Sequence, residues 1–250
     1  MKKPNKAVLD GDIIAWKAAF VADSEGDLAI DALLRGLVDK WTPDGVDHVV
    51  VALSDKDNYR KELFPPYKSN RKDVCKPDSL IAVFETIRQS FDCLTWPTLE
   101  ADDILGIMAS SGEAISVSID KDLKGVPGWL MNPDKDKEPR YITEDEADEW
   151  FHIQWMAGDS TDGVPGMWKI GAKTAEKLLN EWPKENWCEN ILDMYEEERY
   201  APKDAYLKVD KPEIAMGQCV RILRDENYCI EEKEITHVWV PKVGYKKLGV

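Results

Sequence analysis

The chain has 250 residues, with 33 Lys and Arg against 48 Asp and Glu, which gives a formal net charge of −15. Hydrophobic residues make up 43%, including 10 Trp, so a disordered chain is excluded, and no apolar run reaches the roughly 20 residues of a membrane span. The acidity argues at first against a nucleic-acid partner, since proteins that bind nucleic acid are usually basic. Five scattered cysteines without a CxxC spacing favour free thiols over a zinc site.

Strand and helix patterns alternate over about the first 130 residues. Predicted strands, most of them continuous apolar runs of the kind that is buried on both faces, lie at 7–9, 46–53, 93–96 and 114–119. Predicted helices, with apolar residues at helical spacing, lie at 13–20, 79–91 and 101–111. This alternation predicts an α/β domain with a mostly parallel central sheet flanked by helices.

Helical signals dominate after Glu144. The predicted helices of this part lie at 144–156, 172–182 and 212–224, and residues 131–140, rich in Pro, Asp and Lys, are expected to form a turn or loop. We therefore expect an α/β domain over residues 1–143 and a helical region over residues 144–250.

Acidic residues follow several predicted strands, at the end of the sheet where open α/β folds bind ligands. Four segments supply them: Asp10 at the end of the first strand, Asp55 after the second, Asp120 and Asp122 after the strand at 114–119, and Glu100, Asp102 and Asp103 at the start of a helix. Because acids are 48 of 250 residues, an isolated acidic pair means little, and position in the fold carries the information.

Converging carboxylates repel each other unless a cation neutralises them. Oxygen ligands suit Mg²⁺, with Mn²⁺ as a substitute, and two such ions about 4 Å apart can stabilise the attacking and leaving oxygens in phosphodiester cleavage. The alternative is that Glu100, Asp102 and Asp103 only interact with the dipole of the helix that they open.

Two segments of this acidic chain carry clusters of basic residues. Residues 59–73 hold five basic residues against two acidic ones, with three interleaved aromatics, a composition suited to phosphate contacts and base stacking. Residues 158–179 combine Gly-rich turns with the start of a helix near residue 172, whose N-terminus can bind a phosphate, and Lys169, Lys173 and Lys177 add positive charge there. The alternatives are a solvated loop for the first segment and a plain interhelical turn for the second.

Five motifs in order over residues 7–182 resemble the flap endonuclease and 5′→3′ exonuclease family, and the small phage-encoded 5′→3′ exonucleases in particular. The motifs are VLDG at 8–11, YRKELFPPYKSNRK at 59–72, EADDILG at 100–106, SIDKDL at 118–123 and GDSTDGVPGMWKIGAKTAEKLL at 158–179. The last is similar to the helix–three-turn–helix element with which the family grips the DNA backbone without reading bases.

The resemblance implies a role for each matched residue. One metal site would use Asp10, Glu100 and Asp102, with Asp103 and Asp120 as further candidates, and a second would use Asp122, Asp159 and Asp162. Lys68 and Arg71 match a basic pair of the arch, here near residues 59–78, that contacts the scissile phosphate, and Tyr67 would stack on the unpaired end. The remaining predicted DNA contacts are Arg60, Gly163, Gly166, Lys169, Gly171, Lys173 and Thr174, with a possible monovalent cation at the hairpin turn.

The chain departs from the family pattern in places. Asp55 is the nearest match to the acid after the second strand, but Asp57 competes with it. The segment that matches the arch is short and contains Pro65 and Pro66. The resemblance therefore does not by itself imply that a single strand of DNA passes through the arch. A sliding-clamp motif after Val240 and a polymerase domain are both missing, so we expect a free-standing nuclease.

The resulting prediction is a two-metal 5′→3′ exonuclease acting on duplex DNA with a 5′ end or flap, and on RNA primers in RNA–DNA hybrids. It would work in the cytoplasm, that of the host if the chain is phage-encoded, without a membrane or an obligate protein partner. The alternatives are a structure-specific flap endonuclease, a DNA-binding module without catalysis, and a toxin-like ribonuclease, for which residues 158–179 have no evident use.

Overall fold

A computed structural model describes residues 2–25, 29–71, 74–196 and 209–242. The strands are β1 (Lys6–Asp10), β2 (His48–Ala52), β3 (Cys93–Leu94), β4 (Ile115–Val117), β5 (Gly128–Met131), β6 (Arg140–Ile142), β7 (Tyr228–Cys229) and β8 (Glu234–Ile235). The helices are α1 (Gly11–Glu25), α2 (Ile30–Trp41), α3 (Arg60–Leu63), α4 (Leu80–Ser90), α5 (Ala101–Ser110), α6 (Glu144–Ala157), α7 (Ala172–Glu181), α8 (Trp187–Glu196) and α9 (Pro212–Val220).

Six strands of the described chain form one sheet in the order β3-β2-β1-β4-β5-β6. All neighbours run parallel except β5 and β6, which pair antiparallel, so the predicted α/β fold with a mostly parallel sheet is confirmed. Helices α2, α3 and α8, the β5–β6 pair and the β7–β8 pair were not predicted. The β5–β6 pair was not expected because its short strands flank the polar turn at 132–139, whose composition indicated a loop.

The chain divides into two compact units. The first unit comprises Met1–Asn58, Val74–Glu144 and Ile222–Thr236, and the second comprises Tyr59–Asp73, Asp145–Arg221 and His237–Val250. Two segments therefore belong to a different unit from the one that a single boundary near residue 143 would give them. Residues 59–73 belong to the second unit, and residues 222–236 return to the first. None of the helices in the described residues is long and apolar enough to cross a membrane.

Residues 222–236 join the first unit through contacts with α5 and with the loop before it. The Leu223 amide donates to the Asp103 carboxylate at 3.1 Å, and the rings of Trp96 and Tyr228 stack 5.0 Å apart. The approach is so close that a Cβ added at Gly106 would lie 2.4 Å from the Leu223 carbonyl oxygen. Glycine in the EADDILG motif is thus explained by backbone packing.

The second unit has its own hydrophobic core. Phe64 and Tyr67 of the segment 59–71 are buried there with Phe151 and Trp155 of α6 and with Val164 of the following turn. This burial explains why a segment with a basic, loop-like composition belongs to the helical unit. The aromatic residues interleaved in it are core residues.

Candidate functional site

Asp10 occupies the carboxyl end of the central strand of the first unit. It is the last residue of β1, pairs with Ala52 of β2, and is only 2% exposed. Its carboxylate accepts hydrogen bonds from the Ile13 amide at 3.1 Å and from the Ser118 hydroxyl at 2.6 Å. The parallel pairing of β1 with β4 brings Ser118 to this position, so the sheet itself assembles the contact.

The electrostatic surroundings of Asp10 disfavour its charged form. The pKa of the Asp10 carboxyl is raised from 3.8 to about 7. Burial is the largest cause, repulsion from Asp12 and Asp120 acts in the same direction, and the hydrogen bonds from Ser118 and Ile13 oppose it. A cation beside these three carboxylates would remove the repulsion. Asp12 was not predicted as a site residue, although the DGD sequence after β1 was visible.

Asp120 and Asp122 lie directly after β4, as predicted. The Asp120 amide donates to the Ser118 hydroxyl at 3.0 Å, and the Asp120 carboxylate accepts from the Asp122 amide at 2.8 Å. Ser118 therefore connects Asp120 to Asp10. Sequence reasoning missed this serine, because a hydroxyl among apolar strand residues has no pattern of its own.

The N-terminus of α5 carries three of the predicted acids. Glu100 is the N-cap residue, and its amide donates to the Asp103 carboxylate at 3.2 Å. Asp103 is fully buried, and its other oxygen accepts from Leu223 as described above. Asp103 therefore binds backbone amides, whereas Asp102 lies half-buried in the first turn.

Asp12 and α5 are connected through one serine. The Ser54 hydroxyl donates to the Asp12 carboxylate at 2.5 Å and accepts from the Ala101 amide at 2.9 Å. This chain of hydrogen bonds ties the start of α5, which carries Glu100 and Asp102, to the turn after β1. Two of the acidic segments predicted to converge are thus held together by residues that were not predicted.

Asp55 follows β2, as predicted, but its carboxylate is hydrogen-bonded to backbone amides of the adjoining loops. It accepts from the Thr98 amide at 2.9 Å and from the Lys56 amide at 2.8 Å, and these hydrogen bonds lower the pKa of the Asp55 carboxyl. Asp57, the competing candidate, has a side chain that is 67% exposed beside Lys56. Neither carboxylate is hydrogen-bonded to Asp10, and both residues stay candidates for the acid after β2.

The donor chemistry of these acids fits a divalent cation that prefers oxygen ligands. Their repulsion at Asp10 fits it as well, because a bound cation would favour the ionised carboxylates. Within the residues that the structure describes, however, no group of three or more His, Cys, Asp and Glu side chains is already arranged to hold a metal ion. Binding would therefore require these side chains to rearrange.

In the second unit, a turn joins α6 to α7. Gly163 and Gly166 adopt positive φ angles of 74° and 64°, and a Cβ added at Gly166 would lie 2.3 Å from the Gly158 amide nitrogen. Both predicted glycines therefore shape the turn. Asp159 is paired with Val164 across the turn, and its carboxylate accepts from the Thr161 amide at 2.7 Å.

Asp162 lies against the segment 64–71. Its carboxylate accepts from the Tyr67 hydroxyl at 2.9 Å, forms an ion pair with Lys68 at 3.6 Å, and binds the Arg71 guanidinium directly. The Lys68 amide also donates to the Asp162 carbonyl oxygen at 2.7 Å. The two predicted catalytic cations are thus brought together, with Asp162 as their shared counter-ion. This is a role for Asp162 that sequence reasoning did not predict.

Arg60 and Tyr67 lie in the interior, away from any surface that could contact DNA. Arg60 is 2% exposed, and its guanidinium donates to the carbonyl oxygens of Cys219 and Arg221 at 2.9 Å each, at the C-terminal end of α9. Tyr67 is 3% exposed and is oriented by its bond to Asp162. We correct both DNA-contact predictions: the composition of the segment indicated an exposed loop, but its aromatic residues are buried.

Lys169, Gly171, Lys173 and Thr174 are exposed around the start of α7. Gly171 is the N-cap, and its carbonyl oxygen accepts from the Thr174 amide at 2.9 Å. Thr174 therefore has its hydroxyl, not its amide, available for a ligand. Lys169 has a positive φ of 61°, which is uncommon for a residue with a side chain.

The sequence and the fold of this chain were compared with those of known proteins, and the matches are to exonucleases and to a phage protein of similar fold. Residues 6–136 match the family described as 5′-3′ exonuclease, N-terminal resolvase-like domain. The chain is 34% identical over 230 residues to the exodeoxyribonuclease of Enterobacteria phage T3, covering 78% of this chain and 74% of that protein. It is also 34% identical over 229 residues to the exonuclease of Escherichia phage T7, covering 77% and 74%. The T5 D15 protein co-crystallised with metal ions shares the fold, with a TM-score of 0.57 and 16% identity over 86% of this chain and 87% of that one.

Proposed function

Since the chain belongs to the 5′-3′ exonuclease family, it is a hydrolase of the nuclease class, and we propose that it removes nucleotides from the 5′ end of duplex DNA with the help of divalent metal ions. The observation that carries the proposal is the carboxyl end of the sheet, where buried Asp10 meets the charges of Asp12 and Asp120. RNA in RNA–DNA hybrids is proposed as a second substrate, because removal of an RNA primer also requires hydrolysis of phosphodiester bonds from a 5′ end.

Five acids of the first unit are the proposed metal ligands: Asp10, Glu100, Asp102, Asp120 and Asp122. Their oxygen donors favour Mg²⁺, with Mn²⁺ as a substitute. Bound cations would lower the pKa of water and offset negative charge on the phosphodiester. Asp103 is left out of the proposed set because backbone amides bind both of its oxygens. Metal binding by Asp159 and Asp162 stays a prediction from the family resemblance.

The second unit is proposed to hold the DNA. We interpret α6, the turn at 158–171 and α7 as a helix–three-turn–helix element, in which Lys169 and Lys173 contact phosphates at the start of α7. A monovalent cation at this turn stays a prediction. Lys68 and Arg71 are proposed to exchange Asp162 for a substrate phosphate, since charge-assisted bonds to a phosphate can replace those to a carboxylate.

Replacing Asp120 and Asp122 together by alanine is expected to lower Mg²⁺-dependent cleavage of a 5′-labelled duplex at least about 100-fold, because two proposed ligands are lost. Duplex affinity in EDTA is expected to stay near that of the unaltered protein. Asp44→Ala is the matched control, since Asp44 is exposed before β2, at the opposite end of the sheet. Cleavage that survives the double substitution would refute the ligand assignment and would favour a DNA-binding module whose chemistry lies elsewhere.

Replacing Asp162 by asparagine is expected to tighten duplex binding in EDTA, because Lys68 and Arg71 lose a competing carboxylate. The plot of log Kd against log salt concentration should steepen by about one, as one more phosphate is neutralised. Thr161→Ala, next to Asp162 but without the charge, is the control. An unchanged slope would mean that the two cations do not reach phosphate.

The preference between exonuclease and flap endonuclease action is tested with two 5′-labelled substrates of equal length, one blunt and one carrying a 5′ flap. Our proposal expects mononucleotides or short oligonucleotides from the blunt duplex. Release of the intact flap with a stable blunt duplex would instead assign the chain to the flap endonucleases of this family.

A further inference from the structure

Trp168 is an exposed tryptophan on the turn at 158–171. Its side chain is 49% exposed, whereas Trp41 and Trp155 are fully buried, and no other tryptophan of the described residues is among the exposed large apolar side chains. Tryptophan is enriched in binding surfaces, because its ring offers a large apolar face, so an exposed one beside a proposed binding element is a candidate for contact with the ligand. No role was predicted for this residue from the sequence.

A hollow of about 620 Å³ lies next to Trp168, entirely within the second unit. It is lined by Asn70, Ser160, Pro165, Trp168, Lys169 and Gly171, among others. The hollow is wide open to solvent, so part of a bound strand can reach its wall from outside. Its wall combines an aromatic face, polar side chains and the start of α7.

The positive charge of Lys169 at the indole favours a ligand that carries phosphate. The Lys169 ammonium lies over the Trp168 ring, 5.6 Å from its centroid, and Lys173 is exposed in the first turn of α7. The backbone of Lys169 is left-handed, which is unfavourable for a residue with a side chain, and it fixes where that side chain leaves the turn. An aromatic plane with an ammonium over its ring combines an apolar surface with a cation, and the pair complements a strand in which sugars and phosphates alternate. Phe20 is also an exposed aromatic residue, but it lies on α1 of the first unit.

We propose that the Trp168 indole packs on a deoxyribose of duplex DNA while Lys169 contacts the adjoining phosphate. This inference rests on the proposed function, because it names how the second unit holds its substrate. In a duplex the bases are paired and stacked, so the sugar is the apolar group that a backbone-binding turn can reach. The contact adds affinity that does not depend on salt and is the same for every sequence.

The test measures duplex affinity in EDTA for Trp168→Ala, Trp168→Phe and Lys169→Ala, with Phe20→Ala as the control for loss of an exposed aromatic. Trp168→Ala should raise Kd about 5- to 20-fold without changing the salt slope, and Trp168→Phe should raise it less than about 3-fold. Lys169→Ala should lower the salt slope by about 0.9. Thermal melting checks that each variant is folded.

Duplexes in which single nucleotides are made abasic separate the sugar from the base. The same Kd ratio between Trp168→Ala and the unaltered protein on abasic and intact duplexes supports the sugar contact. A ratio that falls to one on an abasic duplex, or a loss seen only with single-stranded DNA, would overturn it in favour of base stacking. An unchanged Kd for Trp168→Ala would overturn it outright. Failure of the unaltered protein to bind or cleave any duplex would instead refute the proposed function.

Discussion

Replacing Asp10 by asparagine is expected to abolish cleavage and, at the same time, to stabilise the metal-free protein at neutral pH. The carboxylate is 2% exposed and lies near Asp12 and Asp120, so its ionised form is unfavourable without a cation. Asparagine keeps the size of the side chain and an oxygen for the Ile13 amide but carries no charge. Loss of this proposed ligand should reduce cleavage at least about 100-fold.

The pH dependence follows from the pKa of Asp10. Because this pKa rises from 3.8 to about 7 on folding, the folded protein binds more protons than the unfolded chain between these values. The stability contributed by the protonated carboxyl is fully present below about pH 3.8 and is lost as the pH rises through about 7. The whole shift corresponds to at most about 4 kcal/mol. The gain in the Asp10→Asn variant should therefore grow from pH 5 to about pH 8.

Thermal melting in EDTA at several pH values measures this gain. Added Mg²⁺ is expected to raise the Tm of the unaltered protein, because a ligand that binds only the folded state stabilises it, and to raise that of Asp10→Asn far less. Asp44→Asn, a change at an exposed acid, serves as the control. A variant that melts below the unaltered protein in EDTA at pH 8, or that cleaves at the normal rate, would contradict our account of Asp10.

Replacing Arg60 by alanine is expected to cost the second unit about 3 to 5 kcal/mol of stability. The guanidinium is buried, donates to the carbonyl oxygens of Cys219 and Arg221, and lies 4.7 Å from the centroid of the Tyr59 ring. Alanine would leave a cavity and two buried carbonyl oxygens without this donor. Its positive charge also lies at the C-terminal end of α9, where the helix dipole favours it.

Hydrogen exchange resolved along the full chain measures this effect, because a chain with two units need not unfold in one step. Protection should fall in α6 and α9 and remain in the sheet of the first unit. Lys61→Ala, an exposed neighbour of the same segment, should leave protection unchanged. Normal protection together with a lower salt slope of DNA binding in Arg60→Ala would show instead that Arg60 contacts phosphate.

The fold of the first unit was predictable because its signals are local. Apolar runs at 7–9, 46–53 and 114–119 are long enough to mark buried strands, and the intervening helices make a parallel sheet the simplest arrangement. Acids placed after these runs must then lie at the same end of the sheet. The family could be recognised as well, and it was confirmed by the match of residues 6–136.

The hydrogen-bond partners of the polar side chains depend on the tertiary structure. Asp10 and Ser118 are 108 residues apart and meet only because β1 and β4 pair, and Asp103 meets Leu223 only because residues 222–236 return to α5. Arg60 gave the clearest difference, since its basic surroundings indicated a surface loop. The composition of a segment gives the number of its charges, but not whether they are exposed to solvent. In this segment Phe64 and Tyr67 are buried in the core of the second unit, and Arg60 is buried with them.

The sequence by itself therefore determined the class of fold, the family and the end of the sheet where the acids collect. These follow from patterns that repeat over a few residues and from motifs in a fixed order. Only the tertiary structure decided that Asp162 holds Lys68 and Arg71, that Ser54 and Ser118 connect the acids, and that Trp168 stays exposed. The physical reason is that hydrogen bonds and ion pairs act over a few ångströms, between residues whose distance along the chain says nothing about their distance in space.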